Sequence, residues 1–84
     1  MIMTKEKKGR EEEGSVQVSV FISIHNYSLN AYEYRLNGED QNVFYPFLKV
    51  ALNANGKCVG IKVGSKKNFR TFKLNQLIRY RKIK

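Results

Sequence analysis

The sequence predicts a small all-β domain, and two observations carry that prediction. Apolar and polar residues alternate with a period of two in several short segments, which is the pattern of half-buried strands. Residues that favour tight turns separate these segments at intervals of roughly 8–12 residues. We therefore expect a meandering barrel or sandwich. A barrel of about five or six strands is favoured, because closure leaves so small a core no exposed sheet edge.

The 84 residues divide into a tail and one domain. Residues 1–14 hold four basic and four acidic side chains and little that can be buried, so we expect a flexible, disordered tail. Residues 15–84 carry all of the net charge of +9, and we expect them to form a single β-barrel domain.

The first predicted strand is Val16–Ile24, in which Val and Ile alternate with mostly polar residues. Residues 25–30 are polar and predict a loop. Ala31–Leu36 alternates again and predicts the second strand. Asn37 and Gly38 then favour a tight turn, because both residue types accept positive φ.

Further extended segments follow with turns between them. The predicted turns are Asn53–Gly56 and Gly64–Asn68, and a short 3₁₀ turn is expected at 75–77. Pro46 predicts a strand start, an edge or a bulge, since proline donates no ladder hydrogen bond. No segment shows a helical stripe. The predicted strands are Val43–Leu52, Lys57–Val63, Phe69–Leu74 and Ile78–Ile83.

The composition argues against several classes of function. One cysteine, Cys58, and one histidine, His25, form neither an internal disulfide nor a familiar zinc site. The few carboxylates do not suggest an acid–base pair, and no apolar run is long enough to span a bilayer. We expect a cytoplasmic protein that is not an enzyme, binds no membrane and needs no metal or cofactor.

The charge distribution indicates a polyanionic partner. Residues 49–84 contain eleven basic and no acidic side chains. A one-signed surface repels itself, and the usual polyanion that offsets this repulsion is nucleic acid. Arginine can form bidentate bonds to phosphate, lysine acts as a point charge, and exposed aromatic rings stack on bases. The candidate nucleic-acid or anion-binding residues are Arg70, Lys73, Arg79, Arg81, Lys62, Lys66, Lys67, Arg35, Tyr34 and Tyr80.

The segment Phe69–Arg79 resembles the C-terminal signature of WYL domains, with an arginine, a spacer, a phenylalanine, a basic residue and a leucine in succession. Tyr34–Glu39 resembles the family's first hairpin, and Val43–Leu48 its strand with a central proline. The name-giving triad is absent at Cys58–Gly60. At the end of the signature Asn75 and Gln76 replace an acidic residue and an arginine.

This resemblance implies an SH3-like or Sm-like barrel that binds nucleic acids or nucleotide-like ligands in a basic groove. It implies that Arg70 contacts the ligand, that Phe72 and Leu74 support the core, and that Pro46 is structural. The resemblance also implies a regulator, since the familiar WYL proteins are regulators.

The resulting hypothesis is a non-enzymatic module that binds nucleic acid, single-stranded in preference to duplex, with little sequence specificity. The basic face is expected within residues 62–84. Two alternatives stay open. One is a small accessory or phage-type inhibitor that binds a protein of a nucleic-acid machine, and the other is a sensor of a nucleotide ligand. The apolar first strand also leaves a homodimer open.

Overall fold

The structure is a computed structural model that describes residues 13–39 and 43–83. It confirms the all-β fold class. The predicted tail lies outside the described residues up to residue 12, whereas Glu13 and Gly14 already belong to a strand. The elements are β1 (Glu13–Gln17), α1 (Val18–His25), a 3₁₀ turn (Leu29–Ala31), β2 (Tyr32–Leu36), β3 (Tyr45–Leu52), β4 (Cys58–Gly64), β5 (Phe69–Lys73) and β6 (Leu77–Lys82).

The six strands form one antiparallel sheet in the order β1-β6-β2-β3-β4-β5. In this order β1 and β5 are the two edges. Backbone N–H groups of Val18 and Ser19 reach from the end of β1 to the carbonyls of Gln76 and Leu74 in the turn between β5 and β6. In this order β1 and β5 are not paired with each other, and closure into a barrel stays a prediction.

The strand predicted at Val16–Ile24 is wrong after Gln17, because the chain turns there into α1. The two hydrogen bonds from Val18 and Ser19 satisfy N–H groups that the first turn of a helix leaves without intrahelical partners. Phe21 is also buried against three tyrosines of the sheet. These tertiary contacts override the strand preference of the β-branched residues.

The core lies between α1 and the sheet. Phe21 packs edge-on against Tyr32 and Tyr34, with ring centroids 5.0 and 5.4 Å apart. Tyr80 and His25 complete this aromatic cluster at 4.8 and 4.4 Å from Phe21. The same core continues under β4, β5 and β6 with further fully buried side chains: Ile61, Val63, Phe72 and Ile78.

The turn predictions succeed where the turn chemistry is local. Gly38 and Gly56 both have positive φ, and the Asn53 side chain accepts hydrogen bonds from the backbone N–H groups of Asn55 and Lys57. Pro46 is the second residue of β3, as expected of a strand start. The 3₁₀ turn expected at 75–77 is an ordinary turn.

Candidate functional site

Three of the lysines and two apolar side chains line a cavity of about 410 Å³ at one end of the β3–β4–β5 hairpins. We call this cavity the lysine groove. Lys62 and Lys66 were candidate residues from the sequence, whereas the other members were not. The lining residues are Leu48, Lys49, Lys62, Lys66 and Phe69.

A bulge in β3 builds one wall of the lysine groove. Phe47 pairs with Val63 and Lys49 pairs with Lys62, so Leu48 is an extra residue without an opposite partner. Bulges re-aim side chains and are frequent beside functional sites. Here the bulge lets two consecutive residues, Leu48 and Lys49, line the same cavity, which strict alternation in a strand would prevent.

The turn between β4 and β5 supplies the remaining lysine of the groove. Ser65 and Asn68 bond to each other through their backbones at 3.0 and 3.1 Å, so that Lys66 and Lys67 form the tip. Gly64 enters this turn with φ +108, and a Cβ there would collide with the carbonyl oxygen of Asn68. A glycine is therefore required for the turn that places Lys66 on the rim.

The lysine groove holds an unfavourable charge pair. Lys49 and Lys62 lie directly opposite each other on neighbouring strands, and like charges in that relation destabilise a sheet. Within the described part of the chain no carboxylate lies within salt-bridge distance of either lysine. Nothing in this region neutralises the pair, because residues 45–74 contain seven basic and no acidic residues.

Phe69 is the aromatic side chain of the groove. It stands at the start of the edge strand β5 and is 48% exposed. The Lys62 ammonium lies 4.7 Å from the centroid of its ring, which is a cation–π distance. The sequence predicted Tyr34 and Tyr80 as the aromatic binding residues, and it did not predict Phe69.

The candidates Tyr34 and Tyr80 belong to the core instead. Tyr34 is 0% exposed, and its hydroxyl donates to the Leu29 carbonyl at 2.6 Å. Burial raises the pKa of Tyr34 above its ordinary value. A Cβ on Gly14 would collide with the Tyr80 ring, so that ring lies close over β1. The expectation that Tyr34 is an exposed stacking residue is wrong, and Tyr80 is half-buried in the aromatic cluster.

Three candidate arginines share the solvent face of β2 and β6, away from α1. Arg81 donates to Glu33 at 2.9 Å and lies 4.1 Å from the Phe44 ring centroid. Arg79 lies 3.9 Å from Glu13. Arg35 bonds to the carbonyls of Leu36 and Glu39. These arginines therefore interact mostly with groups of the protein itself.

Arg70 lies on the other side of its strand from Phe69 and Lys73, at the end of the core. Both terminal nitrogens of its guanidinium bond to the two carboxylate oxygens of Glu39, at 2.7 and 2.8 Å. The Tyr45 and Phe72 rings flank it. The bond from Arg70 lowers the pKa of Glu39, and the same bond raises the pKa of Arg70. Arg70 is thus separated from the lysine groove and already holds a bidentate anion.

The remaining two candidates, Lys67 and Lys73, are exposed and do not line the groove. Lys67 is at the tip of the β4–β5 turn, and Lys73 ends β5 on the same face as Phe69. The structure therefore divides the predicted basic face into three parts: the lysine groove with the exposed Lys67 and Lys73, the arginine face of β2 and β6, and the Arg70–Glu39 pair.

Comparison with protein-family models, with curated proteins and with solved structures gave no match to the chain. None of the helices in the described ranges has the length and apolar character needed to cross a bilayer. Within the same ranges no three His, Cys, Asp or Glu side chains are grouped as metal ligands.

Proposed function

We propose that this protein is a non-enzymatic module that binds nucleic acid, single-stranded in preference to duplex, through the lysine groove. The observation that carries the proposal is the cross-strand opposition of Lys49 and Lys62 beside Lys66. Opposed like charges destabilise a sheet, and favourable cross-strand pairs, which contribute about 0.2–1 kcal/mol, set the scale of the effect. A phosphate between the ammonium groups converts this repulsion into two attractive contacts.

The same region favours low sequence specificity. Lysine is a flexible point charge that contacts phosphate without reading base edges. Arginine recognises guanine by bidentate bonds, but Arg81 and Arg70 are bonded to Glu33 and Glu39, and Arg35 is bonded to backbone carbonyls. The remaining described arginine, Arg79, lies 3.9 Å from Glu13. The α-helix α1 is eight residues long and carries no lysine or arginine, so it is poorly suited to reading the major groove of a duplex.

The carboxylate partner of Arg70 supports a role for this residue in phosphate binding. The WYL-like signature implies that Arg70 contacts the ligand, and a bidentate carboxylate occupies the position a phosphate would take. The pair is exposed, with side-chain exposures of 38% and 42%, and exposed ion pairs contribute little to stability. A phosphate at Arg70 therefore has to displace only a weakly held Glu39.

The test is fluorescence anisotropy with labelled single-stranded and duplex DNA and RNA at several salt concentrations. Three lysine contacts to a single strand give a slope of about −2 in a plot of log affinity against log salt. The affinity should then fall about 40-fold between about 50 and about 300 mM salt. An affinity that stays flat over that range would refute the proposal.

Matched variants localise the binding. Lys62→Gln and Lys66→Gln should weaken binding and flatten the salt slope, since each removes one phosphate contact. Lys57→Gln makes the same change in net charge at the exposed turn before β4, outside the groove. If Lys57→Gln weakens binding as much as the groove variants do, the attraction is a property of the whole surface and the lysine groove is not the site.

A free nucleotide is the second candidate ligand. The groove volume of about 410 Å³ falls in the range of small-ligand pockets, about 300–1,000 Å³. A ligand present at 100 times its Kd stabilises a protein by about 2.7 kcal/mol. A thermal-shift screen with mononucleotides and cyclic dinucleotides therefore tests this candidate, and a set of unchanged unfolding midpoints would eliminate it.

A further inference from the structure

We propose that the lysine groove is a subsite for one unpaired nucleotide, with its base stacked on Phe69 and its phosphate between Lys49 and Lys62. The inference rests on the proposed function and deepens it. It assigns different chemical parts of the ligand to different side chains. The shared chemistry is a phosphate attached to an exposed base, whether within a strand or in a free nucleotide.

The position of Phe69 leaves its ring available to a ligand. The residue directly opposite Phe69 on β4 is Gly64, so the cross-strand neighbour has no side chain to cover the ring. On its other side β5 is an edge of the sheet within the described residues. The ring is 48% exposed for these reasons.

The side chains that line the groove match the base and the phosphate of a nucleotide. The Lys62 ammonium lies over the Phe69 ring, 4.7 Å from its centroid. A base that stacks on the ring displaces this ammonium from that face or takes the other face, and in both cases Lys62 stays within reach of the phosphate of that nucleotide. Lys49, opposite Lys62, and Lys66 on the rim supply further donors. Leu48 and the ring itself form the apolar surface that a base face needs.

The arrangement selects against a base held in a duplex. Both faces of such a base are covered by its stacked neighbours, and a protein that needs one of them must take the base out of the stack. The groove holds about 410 Å³, which is the size of a small-ligand site rather than of a double helix. A single unpaired nucleotide fits these requirements.

Phe69 also has a purely structural interpretation. An aromatic ring beside a strand glycine can stabilise the sheet by covering the glycine backbone, and Gly64 is such a glycine. The two interpretations differ in one respect. Only the nucleotide subsite makes the effect of Phe69 depend on whether the ligand carries a base.

The experiment compares an oligothymidylate of about ten nucleotides with an abasic phosphodiester chain of the same length, on wild-type protein and on Phe69→Leu and Phe69→Tyr. Base stacking should make the wild type bind oligothymidylate about 5- to 150-fold more tightly than the abasic chain. Phe69→Leu should abolish this ratio, whereas Phe69→Tyr, which keeps a ring, should retain it. Thymidine monophosphate with the same variants distinguishes a free nucleotide from a strand.

Equal affinity of the wild type for the two chains would overturn the inference without any variant, and so the test survives a Phe69→Leu protein that fails to fold. Equal losses on both chains in a folded Phe69→Leu protein would assign Phe69 the structural role. Either result leaves salt-dependent binding of phosphates intact. A protein that binds neither chain nor the monophosphate would refute the proposed function as well.

Discussion

Replacement of Lys49 by glutamine should make the protein more stable and at the same time a weaker binder. Lys49 lies directly opposite Lys62 on β4, and like charges in that position destabilise a sheet on a scale of about 0.2–1 kcal/mol. Glutamine keeps most of the side-chain stem and removes the charge. In a domain of this size 1 kcal/mol corresponds to about 4–8 °C. The unfolding midpoint should therefore rise by roughly 1–8 °C.

The binding effect has the opposite sign. One phosphate contact fewer should reduce the salt slope of single-strand binding by about 0.7 and weaken affinity at low salt. Thermal unfolding by circular dichroism and anisotropy at four salt concentrations measure the two effects on the same samples. At about 1 M salt the Debye length shrinks to about 3 Å, so the gain in midpoint should largely disappear there.

Lys57→Gln is the control for this prediction. It removes the same charge at an exposed position about 16 Å along the strand from Lys62, where no lysine is opposite. Its midpoint should stay close to that of the wild type. If Lys49→Gln lowers the midpoint, or if Lys57→Gln raises it equally, the opposition of Lys49 and Lys62 is not the source of the effect, and the reasoning fails.

Three more outcomes follow from the contacts. Tyr34→Phe should cost about 1–3 kcal/mol in chemical denaturation, because it leaves the buried Leu29 carbonyl unpaired, and it should not change nucleic-acid affinity. Glu39→Gln should free Arg70 and tighten binding at pH 7, while Arg70→Ala weakens it. Arg70 lowers the pKa of Glu39, so the contribution of this ion pair to stability is complete above the ordinary pKa of a glutamate. It is lost as the pH falls through the lowered value, where the unfolding midpoints of Glu39→Gln and wild type should converge. Gly60→Ala should destabilise, since its Cβ would meet the Phe72 carbonyl oxygen and force β4 from β5.

The sequence predicts the strands of this fold best where the turn between them is specified locally. Asn53 holds its turn through its own side chain, and Gly56 supplies positive φ. The residues between β3 and β4 therefore contain all the information that the hairpin needs. The alternation of β2 and β6 is equally local, and it correctly separates Tyr34 from Arg35 and Tyr80 from Arg79.

The helix is the element that local reasoning missed. Val18, Phe21, Ile22 and His25 do form a stripe with helical spacing, yet it lies within a stronger alternation of β-branched residues. The carbonyls of Leu74 and Gln76 decide between strand and helix, because they accept hydrogen bonds from the first N–H groups of the helix. Those acceptors lie more than fifty residues away in the sequence, so no local window contains the signal.

The sequence predicted that the candidate site is basic, but it did not predict which residues form the site. The basic half of the chain is visible in the sequence. Carboxylates that are distant in the sequence decide which cations form ion pairs. Glu39 lies 31 residues from Arg70, and Glu33 lies 48 residues from Arg81. The bulge at Leu48 is likewise a property of the pairing with β4. The residues Lys49 and Phe69 were therefore missed although both lie in the segments that drew attention.

The ion pairs make the distribution of charge over the molecule asymmetric. All three glutamates among the described residues lie within 4.0 Å of an arginine, whereas residues 14–32, which include α1, contain no lysine, arginine or carboxylate at all. Eight lysines and arginines of the described residues have no carboxylate within 4.0 Å, and six of them lie on β3, β4, β5 and their turns. The other two are Arg35 on β2 and Lys82 on β6. A potential confined to one side steers a polyanion toward that side during diffusional encounter. The helix itself carries no lysine or arginine, so under the proposed function it should compete little with the lysine groove for the first contact with the polyanion. A chain with the same +9 spread evenly over its surface would attract the polyanion equally to every side, and the groove would gain nothing from the attraction.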